Sequence, residues 1–342
     1  MVLGNVLYGL AYRANFLYLI LIGRIVSGVG YIAFMYSKRY CSDSRIVGIR
    51  RRTTLAGCLV IGLGFGFSAG PFIGGLLYKI GFSNNVFNGV TSPGWIMAGF
   101  WVLFWGLSTL IFEDVPARPH NSPIELQTAN EAQLTTTPEN YSLQNEIVTP
   151  HQWGVIVCMC YYSMTCFFIL GSWVSNIPVY TAGAFGYTPF NAGNFIALGG
   201  ICSFPFLLVS VRYAKRIQDR TILATGSTLG LVGLLIMLAT LHIHKVTFGS
   251  LFVCWFLIAL GFNLASTCTL ILLSKQLPDT WNRKMSMAIQ YSNYTGQITG
   301  ATLGGAGVHI GMMNYVGIQI AVVGIGGVMY LTLWRQLKAK TG

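Results

Sequence analysis

Nine runs of about twenty apolar residues follow one another along the sequence, behind a shorter run at its start. They cover residues 16–36, 55–80, 95–112, 153–180, 190–211, 221–241, 248–273, 285–309 and 314–334, while the opening piece spans only 2–12. A helix rises 1.5 Å per residue, so about twenty apolar residues cross a hydrocarbon layer about 30 Å thick. Each of the nine is long enough to cross; the first piece reads as the end of a helix. The fold class expected is all-α, a polytopic membrane protein seated in a lipid bilayer. Composition agrees, since 9% of the 342 residues are charged, against about 25% in soluble domains.

The net charge of +12 would suggest nucleic acid in a soluble chain. Here the basic residues sit in short loops between apolar runs, so no nucleic-acid partner is expected. One loop holds Lys38, Arg39, Arg45, Arg50, Arg51 and Arg52. Others hold Arg212, Lys215, Arg216 and Arg220, or Lys275, Arg283 and Lys284, and the tail holds Arg335, Lys338 and Lys340. These alternate with nearly uncharged loops, which places the basic ones in the cytosol. Residues 113–150 differ in kind, with five prolines, five glutamates and no periodicity. They read as a flexible cytosolic linker between an incomplete helical bundle, 1–112, and a six-helix bundle, 151–342.

Glycines recur every fourth residue at Gly62, Gly66, Gly70 and Gly74, with Pro71 between and Gly75 beside the last. The spacing returns at Gly296, Gly300, Gly304 and Gly305, 230 positions later. Residues four apart share a helix face, and a bare face lets another backbone approach, which is how helices associate in lipid. Two such helices at one offset point to an internal duplication, the plan of many secondary transporters. At that offset 1–112 maps onto 231–342. Two and a half helices are then expected ahead of residue 1, so that about ten of twelve are present.

Arg24 is the foremost candidate for a functional side chain. It lies about 12 Å into its run, where a charge costs about 3 kcal/mol or more and faces a cavity or a partner. Gly28, Tyr31, Met35 and Lys38 follow on its face. Two cations on one stripe suit an anionic substrate; the alternative is that Arg24 pairs with carbonyls or with a group on another helix. All nine carboxylates (Asp43, Glu113, Asp114, Glu125, Glu131, Glu139, Glu146, Asp219 and Asp279) are expected in loops, so no proton relay through Asp or Glu runs within the spans present. Gln290, Tyr294 and Gln297 form a polar stripe that lines a path or makes bonds between helices; Asn176, Asn263 and Ser266 are weaker candidates.

The eight cysteines lie mostly within apolar runs, with neither a disulfide framework nor a zinc spacing. His242 and His244 supply too few ligands for a metal site. No P-loop, nucleophile elbow or zinc motif occurs. Neither a cofactor nor an enzymatic activity is expected.

Several motifs together resemble the major facilitator superfamily (MFS). Gly23 to Gly30, GRIVSGVG, is similar to its fourth-helix motif, and Ala69 to Gly75, AGPFIGG, to its fifth-helix motif. Val211 to Thr221, VRYAKRIQDRT, resembles its loop between second and third helices. With GNVLYGLAY (Gly4 to Tyr12), KRYCSD (Lys38 to Asp43) and PGWIMA (Pro93 to Ala98), the resemblance narrows to the SPX-MFS branch and the lysosomal ceroid-lipofuscinosis MFS proteins. It implies an MFS-type two-bundle fold in a vacuolar or lysosomal membrane. It also implies phosphate movement through a cavity whose basic positions match Arg24, Lys38 and Arg39. The function expected is transport of a small solute, an inorganic anion such as phosphate, by alternating access. The alternatives are export of amphipathic organic compounds and a non-transporting membrane protein. A monomer is the default.

Overall fold

The structure, a computed structural model, describes residues 1–30, 49–111, 149–213, 217–277 and 281–337. These residues form ten helices: α1 (Val2–Leu10), α2 (Tyr18–Gly30), α3 (Ile49–Ile80), α4 (Ser92–Ile111), α5 (Pro150–Phe185), α6 (Pro189–Tyr213), α7 (Asp219–His242), α8 (Phe248–Gln276), α9 (Asn282–Ile310) and α10 (Met312–Leu333). The helix ends follow local chemistry. Thr149 caps α5: its hydroxyl accepts from the Gln152 backbone N–H, while Gln152 Oε1 accepts from the Thr149 N–H at 2.9 Å, a reciprocal arrangement that satisfies two otherwise orphaned donors. Pro150 begins the helix, and Gly186 ends it at a φ of 65°, a conformation cheap only for glycine. Thr247 and Ser250 form the same kind of box ahead of α8.

Among the described residues, seven helices are long and apolar enough to cross a membrane. The nine crossing runs expected from sequence are thus not all met. Helix α2 is described over 13 residues, the rest of the 16–36 run lying outside the described residues, and α9, 29 residues long, is the least apolar of the ten. Its polarity has a structural reason. Ser286, Gln290 and Asn293 are buried, turned toward neighbouring helices rather than lipid.

Helix α5 is the axis of the second set of helices, α5–α10. Cys158, Met159, Cys166, Ile169 and Trp173 on it are at most 1% exposed. Helix α9 lies along α5 in parallel register. A Cβ at Gly296, Gly300 or Gly304 would overlap the carbonyl oxygens of Met164, Phe168 and Ser172 in turn. Helices α7 and α8 cross antiparallel with Gly226 and Gly230 against Gly261. In the first set, α1 meets α2 in the same manner through Gly4 and Gly23, and α4 through Gly94. The starts of α5 and α9 and the ends of α8 and α10 gather at one end. There Gln152 Nε2 donates to the Gln276 carbonyl at 3.3 Å, and Gln276 Nε2 to that of Gln336 at 3.0 Å. Arg220 lies over the Trp334 ring at 4.7 Å. The basic ends of these helices therefore share a side, as the alternation of charged loops requires.

The two sets meet along α3 and α6, which run antiparallel. Gly75 approaches the Phe190 Cα, Pro71 lies against Gly193, and Ser68 against Gly200. Lys79 caps this seam over the Phe190 ring at 4.6 Å.

Three expectations need correction. The offset of 230 holds from Tyr18 to Phe248 and from Ile80 to Ile310, the corresponding starts and ends of helices, but not beyond. Helix α4 begins at Ser92 and α10 at Met312, 220 apart, because α3 and α4 are joined by eleven residues and α9 and α10 by Gly311 alone. Asp219 is not a loop residue: it opens α7 and is 2% exposed, at the helix end where a carboxylate is favoured by the backbone dipoles. The first glycine ladder, at Gly62, Gly66, Gly70 and Gly74, meets no atom of another helix within 4 Å of an added Cβ among the described residues. Of that group Pro71 and Gly75 make the close approach, on an adjacent face of α3.

Candidate functional site

Arg24 projects from α2 about 9 Å along its axis from Tyr18, into a recess of about 140 Å³ walled by α1, α2 and α4. The glycines set the geometry. Gly23 lets α1 and α2 touch backbone to backbone, and Gly94 admits the Tyr8 ring and the Asn5 carbonyl onto α4. The side chains on these three helices then converge: Asn5 and Tyr8 from α1, Arg24 and Ser27 from α2, Pro93, Met97 and Trp101 from α4. The guanidinium carbon stands 5.1 Å from the centre of the Tyr8 ring, within range for attraction between a cation and a ring face. Asn5 Nδ2 donates to the Met1 carbonyl at 3.1 Å. Trp95 Nε1 donates to the Val86 carbonyl at 2.9 Å, which pins the start of α4 and the recess wall with it.

Arg24 itself is exposed. Its guanidinium is held by a ring on one side and open on the other, an arrangement that leaves N–H donors for a planar oxyanion. Gly28, next on its face, is exposed too; Lys38, Tyr31, Met35 and Arg39 lie outside the described residues, as does most of the 113–150 linker.

The polar stripe of α9 takes a different place. Gln290 is 5% exposed, and its Oε1 accepts from Asn293 Nδ2 at 3.1 Å. Asn293 Oδ1 in turn accepts from the Ser163 hydroxyl on α5. This is a bridge between two helices, one of the two roles the spacing allowed. Gln297 is half-buried with its backbone against Gly171 of α5, and Tyr294 is half-buried beside it. Asn176 Nδ2 donates to the Gly304 carbonyl at 3.1 Å, another α5–α9 bond. Asn263 Nδ2 donates within its own helix, to Ala259, at the edge of a space of about 30 Å³ where α3 meets α5, α6 and α8. That space suits a water or two rather than a solute. A Cβ added at Gly305, as in the first ladder, would meet nothing within 4 Å among the described residues. His242 and His244 are both exposed.

Sequence reasoning found Arg24 and missed its companions. A guanidinium inside an apolar run stands out by its cost. Asn5 carried a weaker signal of the same kind, as an amide in an apolar stretch. Tyr8, Met97 and Trp101 carried none, because such residues are ordinary in a membrane helix.

Residues 1–301 match the family model described as Major Facilitator Superfamily. An uncharacterised protein of Schizosaccharomyces pombe is 30% identical over 346 residues, taking in 100% of this chain and 67% of that protein. An uncharacterised MFS-type transporter of the same yeast is 29% identical over 343 residues, again 100% of this chain and 67% of its own length. An SPX domain-containing membrane protein of Arabidopsis thaliana is 39% identical over 132 residues, 38% of this chain and 17% of that one. The chain thus spans about two thirds of the length of the yeast relatives.

Proposed function

The chain belongs to the Major Facilitator Superfamily, and on that premise we propose that it is a secondary transporter, not an enzyme, that carries a small anionic solute across a membrane by alternating access. It is an integral, multi-pass membrane protein. The observation that carries the anionic reading is Arg24, a guanidinium held by Tyr8 at the mouth of a solute-sized recess within an apolar helix. A charge so placed is costly, and an anionic ligand offsets that cost. Lys38 joins it in this reading, at the cytosolic end of the same stripe. The motif resemblance to the SPX-MFS branch, alongside the likeness to an SPX domain-containing membrane protein over 38% of the chain, supports a vacuolar membrane and inorganic phosphate as one candidate place of action and substrate. A second reading, movement of amphipathic organic compounds, draws support from the apolar wall formed by Pro93, Met97 and Trp101.

The test is uptake of labelled anions into proteoliposomes by the full-length protein and by Arg24→Ala. Loss of one charge-assisted contact is worth about 1.5–3 kcal/mol, so uptake at low substrate should fall by about tenfold or more. Unchanged uptake in Arg24→Ala would remove the guanidinium from the path. An intact, correctly inserted wild-type protein that moves no solute would favour a non-transporting role.

A further inference from the structure

We propose that Thr149 is the phosphoacceptor of a proline-directed protein kinase, and that its phosphorylation releases a chain of amides that ties α5 to α8 and to the segment after α10. One observation lies in the local sequence and backbone, the other in what the Thr149 cap holds.

Residues 113–150 contain five prolines, and three of them follow a hydroxyl residue: Ser122 precedes Pro123, Thr137 precedes Pro138 and Thr149 precedes Pro150. Of the three hydroxyl residues, Thr149 lies within the described residues. A residue ahead of proline is driven from helical to extended backbone, and Thr149 is extended, at φ −67° and ψ 154°. Thr149, Pro150 and His151 are all exposed. An exposed hydroxyl on extended backbone, with proline next, is the substrate shape of this kinase class. It stands at the end of the helices that the alternation of basic loops assigns to the cytosol, where kinases and ATP are found.

The cap is joined to distant parts of the chain. Gln152 Oε1 accepts from the Thr149 N–H at 2.9 Å and from its hydroxyl at 3.2 Å, while Gln152 Nε2 donates to the Gln276 carbonyl at 3.3 Å. Gln276 Nε2 donates to the Gln336 carbonyl at 3.0 Å, and Gln336 Nε2 stands 3.1 Å from His151 Nδ1. Leu337, the next residue, is fully buried. In the kinase step the γ-phosphoryl group of ATP moves to Thr149 Oγ. Its bond to the β-phosphate oxygen breaks, a bond to Oγ forms, the hydroxyl proton goes to the kinase's base, and ADP leaves. Oγ then has no proton to give, and up to about two negative charges stand beside Gln152 Oε1. They repel an amide oxygen and attract amide N–H groups. Gln152 therefore turns Nε2 to the phosphate and gives up the Gln276 carbonyl, the first link of the chain.

The full chain in phosphatidylcholine nanodiscs, incubated with ATP, Mg²⁺ and a purified cyclin-dependent kinase, tests this by phosphopeptide mapping and amide hydrogen exchange. Phosphate is expected at Thr149. Thr149→Ala should lose it, and so should Pro150→Ala, which keeps the hydroxyl and its cap. In the phosphorylated protein the amides of residues 273–277 should exchange about threefold to tenfold faster, the worth of one neutral hydrogen bond. Gln152→Ala should show the faster exchange before the kinase is added, and phosphorylation should add nothing further. No phosphate at Thr149, with a reference substrate labelled in the same mixture, would overturn the site. Unchanged exchange at 273–277 in the phosphorylated protein would overturn the release. A rise that Thr149→Ala or Pro150→Ala still shows with the kinase would do the same, since it would come from another hydroxyl.

Discussion

Gln319 is fully buried in α10, and both ends of its amide are used. Its Oε1 accepts from the Trp173 indole N–H at 2.7 Å, and its Nε2 donates to Ser172 Oγ at 3.2 Å. Ser172 Oγ donates in turn to the Tyr315 hydroxyl at 2.8 Å. Bonds between membrane helices often contribute little, because a polar group loosened in lipid finds another partner. Here the whole group is shut away from lipid and water alike, so the cost of an orphaned donor applies. Gln319→Leu leaves the Trp173 N–H without its acceptor, at about 1–3 kcal/mol. The thermal midpoint of the detergent-purified protein should drop by a few degrees; a midpoint equal to wild type would show that water reaches Trp173. At this scale the sequence is readable where a residue is out of place chemically. Arg24 in an apolar run announces itself, but nothing in the spacing distinguishes Gln319, which bridges helices, from a glutamine lining a path. The same ambiguity attached to Gln290, which the structure ties through Asn293 to Ser163.

The two glycine ladders are alike in sequence and unlike in surroundings. On α9, Gly296, Gly300 and Gly304 lie against the backbone of α5, where carbonyl oxygens stand in the way of any Cβ. Rigid backbone cannot yield as a flexible side chain can, so Gly300→Ala must push the two helices apart along their main contact. On α3, a Cβ at Gly66 or Gly70 meets nothing within 4 Å among the described residues. Alanine there gains helix propensity, about 1 kcal/mol over glycine. The pair of substitutions should thus act in opposite directions. Gly300→Ala is expected to lower the thermal midpoint and the yield of folded protein, whereas Gly66→Ala should hold or raise it. A drop in Gly66→Ala as large as that in Gly300→Ala would mean that the α3 ladder also carries a helix. The periodicity made both faces legible as glycine stripes; which face is covered depends on neighbours that no local pattern names.

For the molecule as a whole, the joint between the two sets of helices is the α3–α6 seam. It is closed by small residues: Gly75 opposite Phe190, Pro71 opposite Gly193, Ser68 opposite Gly200. Under the proposed alternating access, rocking of one set against the other would change the separation of these helices. Cysteines introduced by Gly75→Cys and Phe190→Cys, in a background free of the native thiols, should join on oxidation. The link is checked by cutting the chain within 113–148, after which the two fragments stay together only if bonded. Uptake should fall to background when the link forms and return on reduction. Uptake that continues with the link in place would move the working joint elsewhere. The two sets also share features of packing. Helices α1 and α2 cross glycine on glycine, as α7 and α8 do, and the ladder helices end 230 residues apart at Ile80 and Ile310.

The membrane setting, the rough limits of the apolar helices and the spacing of the glycines were determined by the sequence. Each follows from local rules: apolar length against bilayer thickness and glycine at helical spacing. Tertiary structure alone decided that Tyr8 and Trp101 line one recess with Arg24, that the α9 amides face α5 and that, among the described residues, the α9 ladder is covered and the α3 ladder is not. A helix has the same period on every face, so which residues it turns toward a cavity, a neighbour or the lipid depends on how it is rotated against the others. That rotation is set by contacts between residues far apart in the chain.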